Sequence, residues 1–330
     1  MIRILCSGDS HTWGQGVPGI LEEFDPSVVA GDLRLAGFRS RGYVNVLRNA
    51  LEKMTGSSSE EWTGREIADK CHVNFRKPCA VIGEESIELA FRGSMLRLEL
   101  RKGQAPVIPE IIIDHEKKEL PELPAAQGEN DYRLFTFLLE EGKHTAKIRA
   151  GKGSLLLFRA ESYAGACAVI NSGVGSCSAG HFLEDYWQDH VAEVKPDLVI
   201  AEAHTINDWL TGESPEEYRD QLKVLLEKYQ SIGARVLLLT VSPILGEQSL
   251  PGKTARYDEY VEMSRAAANE SNVRICDANR IMHLCLEGLE EKAAFDYLFD
   301  DNWHPNKRGH ALYAEMILQA ISWCWDSQIF

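Results

Sequence analysis

The spacing of hydrophobic residues changes twice along the chain. Near the N-terminus, the apolar run 2–7 is typical of a buried strand, and residues 42–54 carry apolar side chains at helical spacing. Between about residues 66 and 165, apolar and polar residues alternate instead. Beyond residue 165, continuous apolar runs alternate with helical patterns. The pattern therefore predicts two kinds of architecture in one chain.

The alternating segment predicts an antiparallel β domain. Glycine, proline and acidic turn signals, such as the run 140–143, separate its strand-like stretches. Many short strands with regular turns are typical of a β-sandwich or jelly roll. The stretches that carry this prediction are 85–91, 95–101, 109–114, 132–139, 144–150 and 154–159.

The remainder of the chain has the pattern of an α/β domain. Continuous apolar strands that alternate with amphipathic helices are typical of a mostly parallel sheet with helices on both faces. The predicted strands are 166–171, 197–203, 234–241 and 272–277. The predicted helices are 181–194, 215–232, 257–270 and 306–321.

The first strand and helix are assigned to this same sheet, because one strand and one helix alone could not bury a core. We therefore predict a discontinuous α/β domain from residues 1–65 and 166–330, built as a three-layer α/β/α sandwich of the flavodoxin-like type. An antiparallel, jelly-roll-like β-sandwich is inserted at residues 66–165. Three consecutive domains are the alternative.

Composition narrows the classes of function. The net charge of −15 argues against sequence-independent nucleic-acid binding, which needs a basic face, and against adsorption to anionic lipid. No apolar run approaches the ~18 residues of a membrane span, and the run after Met1 is too short for a signal peptide. The eight cysteines lack CxxC pairs and zinc spacing, so we expect reduced thiols in a cytoplasmic protein without structural zinc.

Polar residues follow the predicted strands at the edge where ligands bind in such sheets. In open α/β sheets, functional groups gather beyond the carboxyl ends of the strands. The stretches selected by this rule are 7–10, 171–176, 204–209 and 300–305.

These stretches supply the groups that acyl transfer needs. The hydroxyl of Ser10 is a poor nucleophile until a base takes its proton, and His304 can be that base. A carboxylate must orient the imidazole, and Asp301 lies three residues before it. The oxyanion donors would be the backbone N–H of Ser10, an N–H in the glycine loop at 173–176, and the Asn207 amide.

In this order the four stretches resemble the four sequence blocks of the SGNH hydrolases, the GDSL-like lipase and esterase superfamily. The residues that carry the resemblance are Gly8-Asp9-Ser10, the glycine loop, Asn207-Asp208 and Asp301-x-x-His304. It covers roughly residues 1–60 and 165–330. It implies Ser10 as nucleophile, His304 as general base, Asp301 as its orienting acid, and no metal or organic cofactor.

The superfamily pattern also implies an oxyanion hole formed by Ser10, a loop glycine and Asn207. Gly175 is our choice in the loop, with Ser176 as the alternative. Thr205 departs from the pattern, because that position is usually glycine. The predicted β insert is similar to the jelly-roll modules that accompany some carbohydrate esterases.

The resemblance implies a serine esterase that removes a short acyl group, with acetyl favoured, from a carbohydrate or similar polyol. Its partner would be a small-molecule or saccharide ester, and the oligomeric state is left open. The alternatives are a lipase, thioesterase or acyltransferase of the same superfamily, and a non-catalytic carbohydrate-binding protein on the same fold.

Residues beside the motifs are assigned lesser roles. Three tryptophans are predicted to contact substrate, with plain packing as the alternative: Trp13, Trp209 and Trp303. His11 is interpreted as a pocket-lining or surface residue, and Asp9 as a side chain that bonds backbone groups around the turn. Cys177 is interpreted as structural.

Overall fold

The computed structural model describes residues 1–17, 40–67, 80–83, 86–101, 105–125, 132–151, 153–245 and 256–322. The strands within them are β1 (Ile2–Gly8), β2 (Ser58–Thr63), β3 (Ala80–Ile82), β4 (Ile87–Arg101), β5 (Glu110–Ile113), β6 (Glu116–Lys118), β7 (Tyr132–Arg149), β8 (Leu155–Ala164), β9 (Cys167–Gly173), β10 (Leu198–Glu202), β11 (Arg235–Leu239) and β12 (Arg274–Cys276). The helices are α1 (Ser10–Trp13), α2 (Tyr43–Thr55), α3 (Gly64–Ile67), α4 (Ala179–His181), α5 (Thr205–Thr211), α6 (Pro215–Ser231), α7 (Tyr257–Glu270), α8 (Ala278–Leu286), α9 (Glu291–Leu298) and α10 (Lys307–Ser322).

The first compact unit is an α/β fold formed by the described residues from Ile2 to Met54 and from Val169 onward. Its sheet has the order β12-β11-β10-β1-β9, and β10 runs parallel to both β1 and β11, as β11 does to β12. The middle strand β10 is buried along its whole length because helices cover the sheet. The predicted α/β class with a mostly parallel sheet is confirmed.

Strong local signals set the helices that were predicted most closely. Helix α6 begins after a capping box, in which the Ser214 hydroxyl accepts the Glu217 N–H and the Glu217 carboxylate accepts the Ser214 N–H. Pro215 occupies the first turn, where it suits a helix start. The buried face of α6 packs on β11, and α7 packs on β12.

Two predicted helices differ in detail from the structure. The predicted helix 181–194 is π-helical at Phe182–Tyr186 and Gln188–Ala192, and a short α-helical turn at Ala179–His181 precedes these turns. The last helix begins at Lys307, because the Asn306 side chain accepts the N–H groups of Arg308 and Gly309 and so acts as its cap. Pro305 therefore precedes the helix and does not begin it.

The second unit, built around residues 55–168, is antiparallel β. Its strands form one sheet of order β2-β8-β4-β7-β5-β6, with β3 also paired to β8. One continuous apolar core includes Leu89, Leu98 and Ile148. The antiparallel class of this segment is confirmed, and closure into a jelly roll remains a prediction.

Two predicted strand breaks are absent, because long-range pairing carries the strands through them. From Ile87 onward, the two runs predicted as separate strands form the single strand β4, with a bulge between Gly93 and Met95 that changes which alternate residues face the core. Gly93 has φ of 148° and lies against the Tyr163 carbonyl, where a Cβ atom has no room. The predicted turn at 140–143 is extended strand inside β7, paired across to Arg92 and Gly93.

His144 ties the bulge of β4 to two neighbouring segments of the β unit. Its Nε2 lies 3.1 Å from the Gly93 carbonyl oxygen and 2.9 Å from that of Glu140, while its Nδ1 bonds the Asp114 carboxylate. Because every partner is an acceptor, both ring nitrogens must donate. The Asp114 carboxylate and the two carbonyls hold the pKa of His144 above its ordinary value, against the opposing effect of burial.

The boundary of the β unit lies earlier than the predicted residue 66. Strand β2 pairs along its whole length with β8, which draws the chain from Thr55 onward into the β unit. Insertion of this unit into a discontinuous α/β domain remains our proposal for the domain organisation.

The described cysteines are free thiols: Cys6, Cys167, Cys177 and Cys276 are buried and Cys285 is exposed. Cys71, Cys79 and Cys324 lie outside the described residues, as do residues 18–39. None of the helices in the described ranges has the length and apolar content needed to cross a membrane.

Candidate active site

Ser10 lies at a tight corner between β1 and α1. Asp9 caps α1, because its carboxylate accepts the His11 N–H at 3.0 Å. Ser10 is the first residue of the helix, so its N–H has no partner within the helix. Gly8 leaves no room for a side chain, since the Glu202 carboxyl and the Thr12 hydroxyl occupy that space.

The structure brings Ser10, His304 and Asp301 into one hydrogen-bonded chain. Ser10 Oγ lies 2.9 Å from His304 Nε2, although 294 positions separate the two residues. His304 Nδ1 lies 2.6 Å from Asp301 Oδ2. Ser10 and His304 are both buried, while Asp301 is partly exposed. The contacts are those expected of the predicted nucleophile, base and orienting acid, whose roles remain a prediction.

The Asp301 carboxylate is held in one orientation by its own loop. Its Oδ1 accepts the backbone N–H groups of Trp303 and His304 at 2.9 and 2.7 Å, which leaves Oδ2 for the imidazole. Burial alone would raise the pKa of Asp301, but these hydrogen bonds outweigh it and lower the pKa to about 2. Asp301 is therefore ionised throughout the pH range in which the protein would work.

Asn207 lies in the first turn of α5, beyond the end of β10. Its Nδ2 donates to Asp9 Oδ2 at 2.6 Å, which fixes the amide with its nitrogen toward the corner that carries Ser10. An amide nitrogen carries two hydrogens, so one remains for a developing oxyanion. The side chain is almost fully buried, which strengthens such a bond.

The glycine loop after β9 offers backbone donors, and two of them are already used. The N–H of Gly173 donates to Asn171 Oδ1 and that of Val174 to the Gly8 carbonyl, both at 2.9 Å. Gly175 and Ser176 follow, and Ser176 adopts a left-handed conformation with φ of 58°. Both N–H groups remain candidates for the oxyanion hole, and Gly175 stays our choice.

Thr205, the departure from the superfamily pattern, has a structural role here. Its hydroxyl lies 3.0 Å from the Tyr218 hydroxyl, which donates to the Ala203 carbonyl at 2.7 Å. The threonine therefore links the start of α5 to α6.

Asp208 accepts the Ala179 N–H at 3.1 Å, and burial raises the pKa of Asp208 to about 8.

The three tryptophans differ in exposure. Trp209 is 1% exposed and packs edge-to-face on Tyr257, and Trp13 is 6% exposed. Trp303 is partly exposed, with its ring centroid 6.3 Å from that of His304. Trp303 is therefore the most exposed of the three, and contact of any of them with substrate remains a prediction.

His11 was predicted to line the pocket or lie at the surface, and the structure corrects this prediction. Its side chain is fully buried, and Asp9 and the Trp303 carbonyl bind its two ring nitrogens.

Glu202 was not singled out from the sequence. It accepts the Asp9 N–H at 2.6 Å and the Thr12 hydroxyl at 3.0 Å. The available signal was a carboxyl at the end of the otherwise apolar strand β10.

Asp9, His11 and Glu202 are the group of described residues whose side chains lie close enough to share a metal ion, with ligand atoms within 4.8 Å of one another. Each of these groups is already engaged in hydrogen bonds inside the protein. We therefore assign no metal to the cluster.

Comparison with known proteins supports the fold. Residues 156–312 match the model of the GDSL-like lipase/acylhydrolase family. A search of curated protein sequences found no significant match. A peptidoglycan O-acetylesterase structure is similar over 98% of this chain and 91% of its own, at 13% identity and a TM-score of 0.59.

Two further structures are similar at lower scores. An α/β hydrolase from the metagenome of Lake Arreo, Spain, has 15% identity over 99% of this chain and 97% of its own, with a TM-score of 0.49. An acetyl-xylooligosaccharide esterase variant from Geobacillus stearothermophilus has 24% identity over 47% of this chain and 72% of its own, with a TM-score of 0.40.

The family match and the fold together define the class of protein, a carboxylic ester hydrolase. Nearly half of the chain matches the model of the GDSL-like lipase/acylhydrolase family, which supports the resemblance to the SGNH hydrolases. The matched segment contains Asn207, Asp301 and His304, whereas Ser10 precedes it.

Proposed function

We propose that this ester hydrolase removes a short acyl group, acetyl in particular, from a carbohydrate or similar polyol, with Ser10 as nucleophile. One observation carries the mechanism: the chain of contacts from Ser10 Oγ to His304 Nε2 at 2.9 Å and from His304 Nδ1 to Asp301 Oδ2 at 2.6 Å. A serine at a strand-to-helix corner, with its base and orienting acid already in contact, needs no rearrangement before attack.

Acylation begins when Ser10 Oγ bonds to the acyl carbon and its proton passes to His304 Nε2. Asp301 stabilises the imidazolium that forms. The N–H groups of Ser10 and Gly175 and the Asn207 amide bind the oxyanion. The bond from the acyl carbon to the alcohol oxygen then breaks, and the proton on His304 passes to that oxygen.

Deacylation repeats the sequence with water as the nucleophile. The water oxygen bonds to the acyl carbon while His304 takes one proton from it. The bond to Ser10 Oγ then breaks, and the serine recovers its proton from the imidazole. The net reaction is ester plus water to carboxylic acid plus alcohol, so the residues of the site suffice.

Three observations support the choice of substrate. The peptidoglycan O-acetylesterase structure is similar over nearly the whole chain. The partly exposed Trp303 ring beside His304 offers a face on which a sugar could stack. The net charge of −15 suits a neutral or cationic substrate better than an anionic lipid.

Acyl-chain preference tests the proposed substrate class. Purified protein is assayed with p-nitrophenyl acetate, butyrate and octanoate, and then with an acetylated oligosaccharide by release of acetate. We expect kcat/KM to fall by about tenfold or more from acetate to octanoate, since a site for acetyl lacks room for a longer chain. A strong preference for octanoate, or no acetate release from the saccharide, would exclude the acetyl-sugar assignment.

The proposed role of Asn207 predicts a large loss of rate in Asn207→Ala. Removing one oxyanion donor typically lowers kcat by about 10²- to 10³-fold. The matched control is Asn279→Ala, which removes a buried asparagine that donates to the Val241 carbonyl at 3.0 Å, beyond β12. We expect the control to lose stability but keep kcat within about threefold. Equal kcat in the two variants would remove Asn207 from the oxyanion hole.

A further inference from the structure

The side chain that follows Ser10 is a buried imidazole with hydrogen-bond acceptors at both nitrogens. His11 Nδ1 lies 3.1 Å from Asp9 Oδ1, and its Nε2 lies 3.0 Å from the Trp303 carbonyl oxygen. A carbonyl oxygen cannot donate, so Nε2 must carry a proton. If Asp9 is ionised, Nδ1 must carry one as well, and His11 is then an imidazolium.

The surroundings of Asp9 favour the ionised carboxylate. Besides the His11 ring, it accepts the His11 backbone N–H at 3.0 Å and the Asn207 amide at 2.6 Å. Burial opposes ionisation, but the hydrogen bond and charge of His11 outweigh it and lower the pKa of Asp9. Burial and the Asp9 charge raise the pKa of Glu202 well above its ordinary value, so Glu202 is neutral. The cluster therefore holds one ion pair.

The two ends of this ion pair touch two separate parts of the proposed site. Asp9 holds the Asn207 amide, which follows β10, and β10 is the neighbour of β1, the strand that precedes Ser10. His11 holds the carbonyl of Trp303, the residue directly before His304, and Ser242 donates to that same carbonyl at 3.0 Å. The pair thus holds two groups in place next to Ser10: Asn207, the proposed oxyanion donor, and His304, the proposed base.

The positive end of the pair also faces the base directly. The ring centroids of His11 and His304 lie 5.3 Å apart. Among the described residues, the titratable groups near His11 also include Asp9, Glu202 and His310. His310 is neutral, because it accepts the Tyr43 N–H and donates to the Gln15 carbonyl, and burial lowers its pKa to about 3. The charged ring of His11 therefore lies next to the ring of the proposed base.

We propose that the buried Asp9–His11 ion pair is a positioning element that fixes Asn207 and the His304 loop, an inference that rests on the proposed function of Ser10 and His304. Neither residue touches the substrate. Both act through the groups that do.

Two His11 variants separate the charge from the hydrogen bond. His11→Gln can still donate to the Trp303 carbonyl but carries no charge, whereas His11→Phe keeps the ring volume and donates nothing. Without a donor to the Trp303 carbonyl, the loop that carries His304 is no longer fixed, so kcat should fall at least about tenfold in the phenylalanine variant while KM stays within about threefold. In the glutamine variant, which keeps a donor, kcat should stay within about threefold of wild type.

His310→Gln is the matched control, since it replaces a buried histidine that carries no charge. It should lower the melting temperature without lowering the kcat of the folded protein. The inference is overturned if the kcat of folded His11→Phe stays within about threefold of wild type. It is also overturned if kcat falls as far in the His310 variant, because loosening of the fold would then explain both losses.

One measurement on the wild-type protein remains decisive even if the variants fail to fold. In ¹⁵N-histidine spectra at pH 8, His11 should show both ring nitrogens protonated, because Asp9 raises its pKa to about 9 against the effect of burial. Assignment rests on the loss of this signal in His11→Gln or, failing that, on its through-bond link to Asp9 and Ser10. A neutral His11 at pH 8 would overturn the inference. Retained activity in Ser10→Ala, measured in parallel, would instead show that the proposed function itself is wrong.

Discussion

Ser10→Ala should lower kcat for p-nitrophenyl acetate by at least about 10⁴-fold, because the variant lacks the atom that we propose attacks the ester. No described neighbour can replace it at His304 Nε2, whose hydrogen-bond partner is Ser10 Oγ. Cys177 is the nearest alternative in chemistry, but its thiol is buried and donates to the Ser178 carbonyl. Burial raises the pKa of this thiol far above its ordinary value, so it supplies no thiolate.

Ser264→Ala is the matched control for that variant. Ser264 is also a buried serine, but its hydroxyl donates to the Val261 carbonyl within α7. We expect its kcat to stay within about twofold of wild type. If both serine variants retained wild-type kcat at equal folded fractions, Ser10 would not be the nucleophile.

Asp301→Asn should lower kcat by about 10³- to 10⁴-fold while KM changes little. The amide that replaces the carboxylate can donate to His304 Nδ1, which favours the tautomer with its proton on Nε2. That tautomer cannot accept the proton of Ser10. The variant also loses the charge that stabilises the imidazolium, so the loss falls on the transition state and not on substrate binding.

Asp300→Asn is the control for this effect, because it removes an adjacent exposed carboxylate that has no hydrogen bond to the imidazole. Its kcat should remain within about threefold of wild type. Because the pKa of Asp301 is about 2, the difference between the two variants should persist unchanged from pH 6 to pH 9. A similar kcat in both variants would show that Asp301 is not the acid that orients the His304 imidazole.

Local signals explain how much of the fold could be predicted. Helix α7 has the predicted bounds 257–270, and α6 differs by one residue. These helices were predictable because capping and helical periodicity depend on residues that are close together in the sequence. Strands β4 and β7 each run through a predicted break. Their continuity depends on pairing with each other, which the local sequence does not contain. Gly93 broke the alternation in the sequence, yet in the structure it marks a bulge within one strand.

The site shows the same division between local and distant signals. Asp301 and His304 were predictable as a pair, since three residues is a reach that one turn allows. Ser10 could be joined to them only through the order of four motifs, because no local rule links positions 294 apart. The role proposed for His11 depends on the carbonyl of Trp303, which is distant in the sequence. Local sequence therefore did not distinguish His11 from any other residue beside the nucleophile.

The most direct test of Ser10 as the nucleophile is to locate the residue that becomes covalently modified. Protein treated with a fluorophosphonate is digested, and the modified peptide is sequenced by mass spectrometry. We expect one equivalent of label on Ser10, with labelling abolished in Ser10→Ala and greatly slowed in His304→Ala. Stoichiometric label on any other residue, or unchanged labelling of Ser10→Ala, would contradict it.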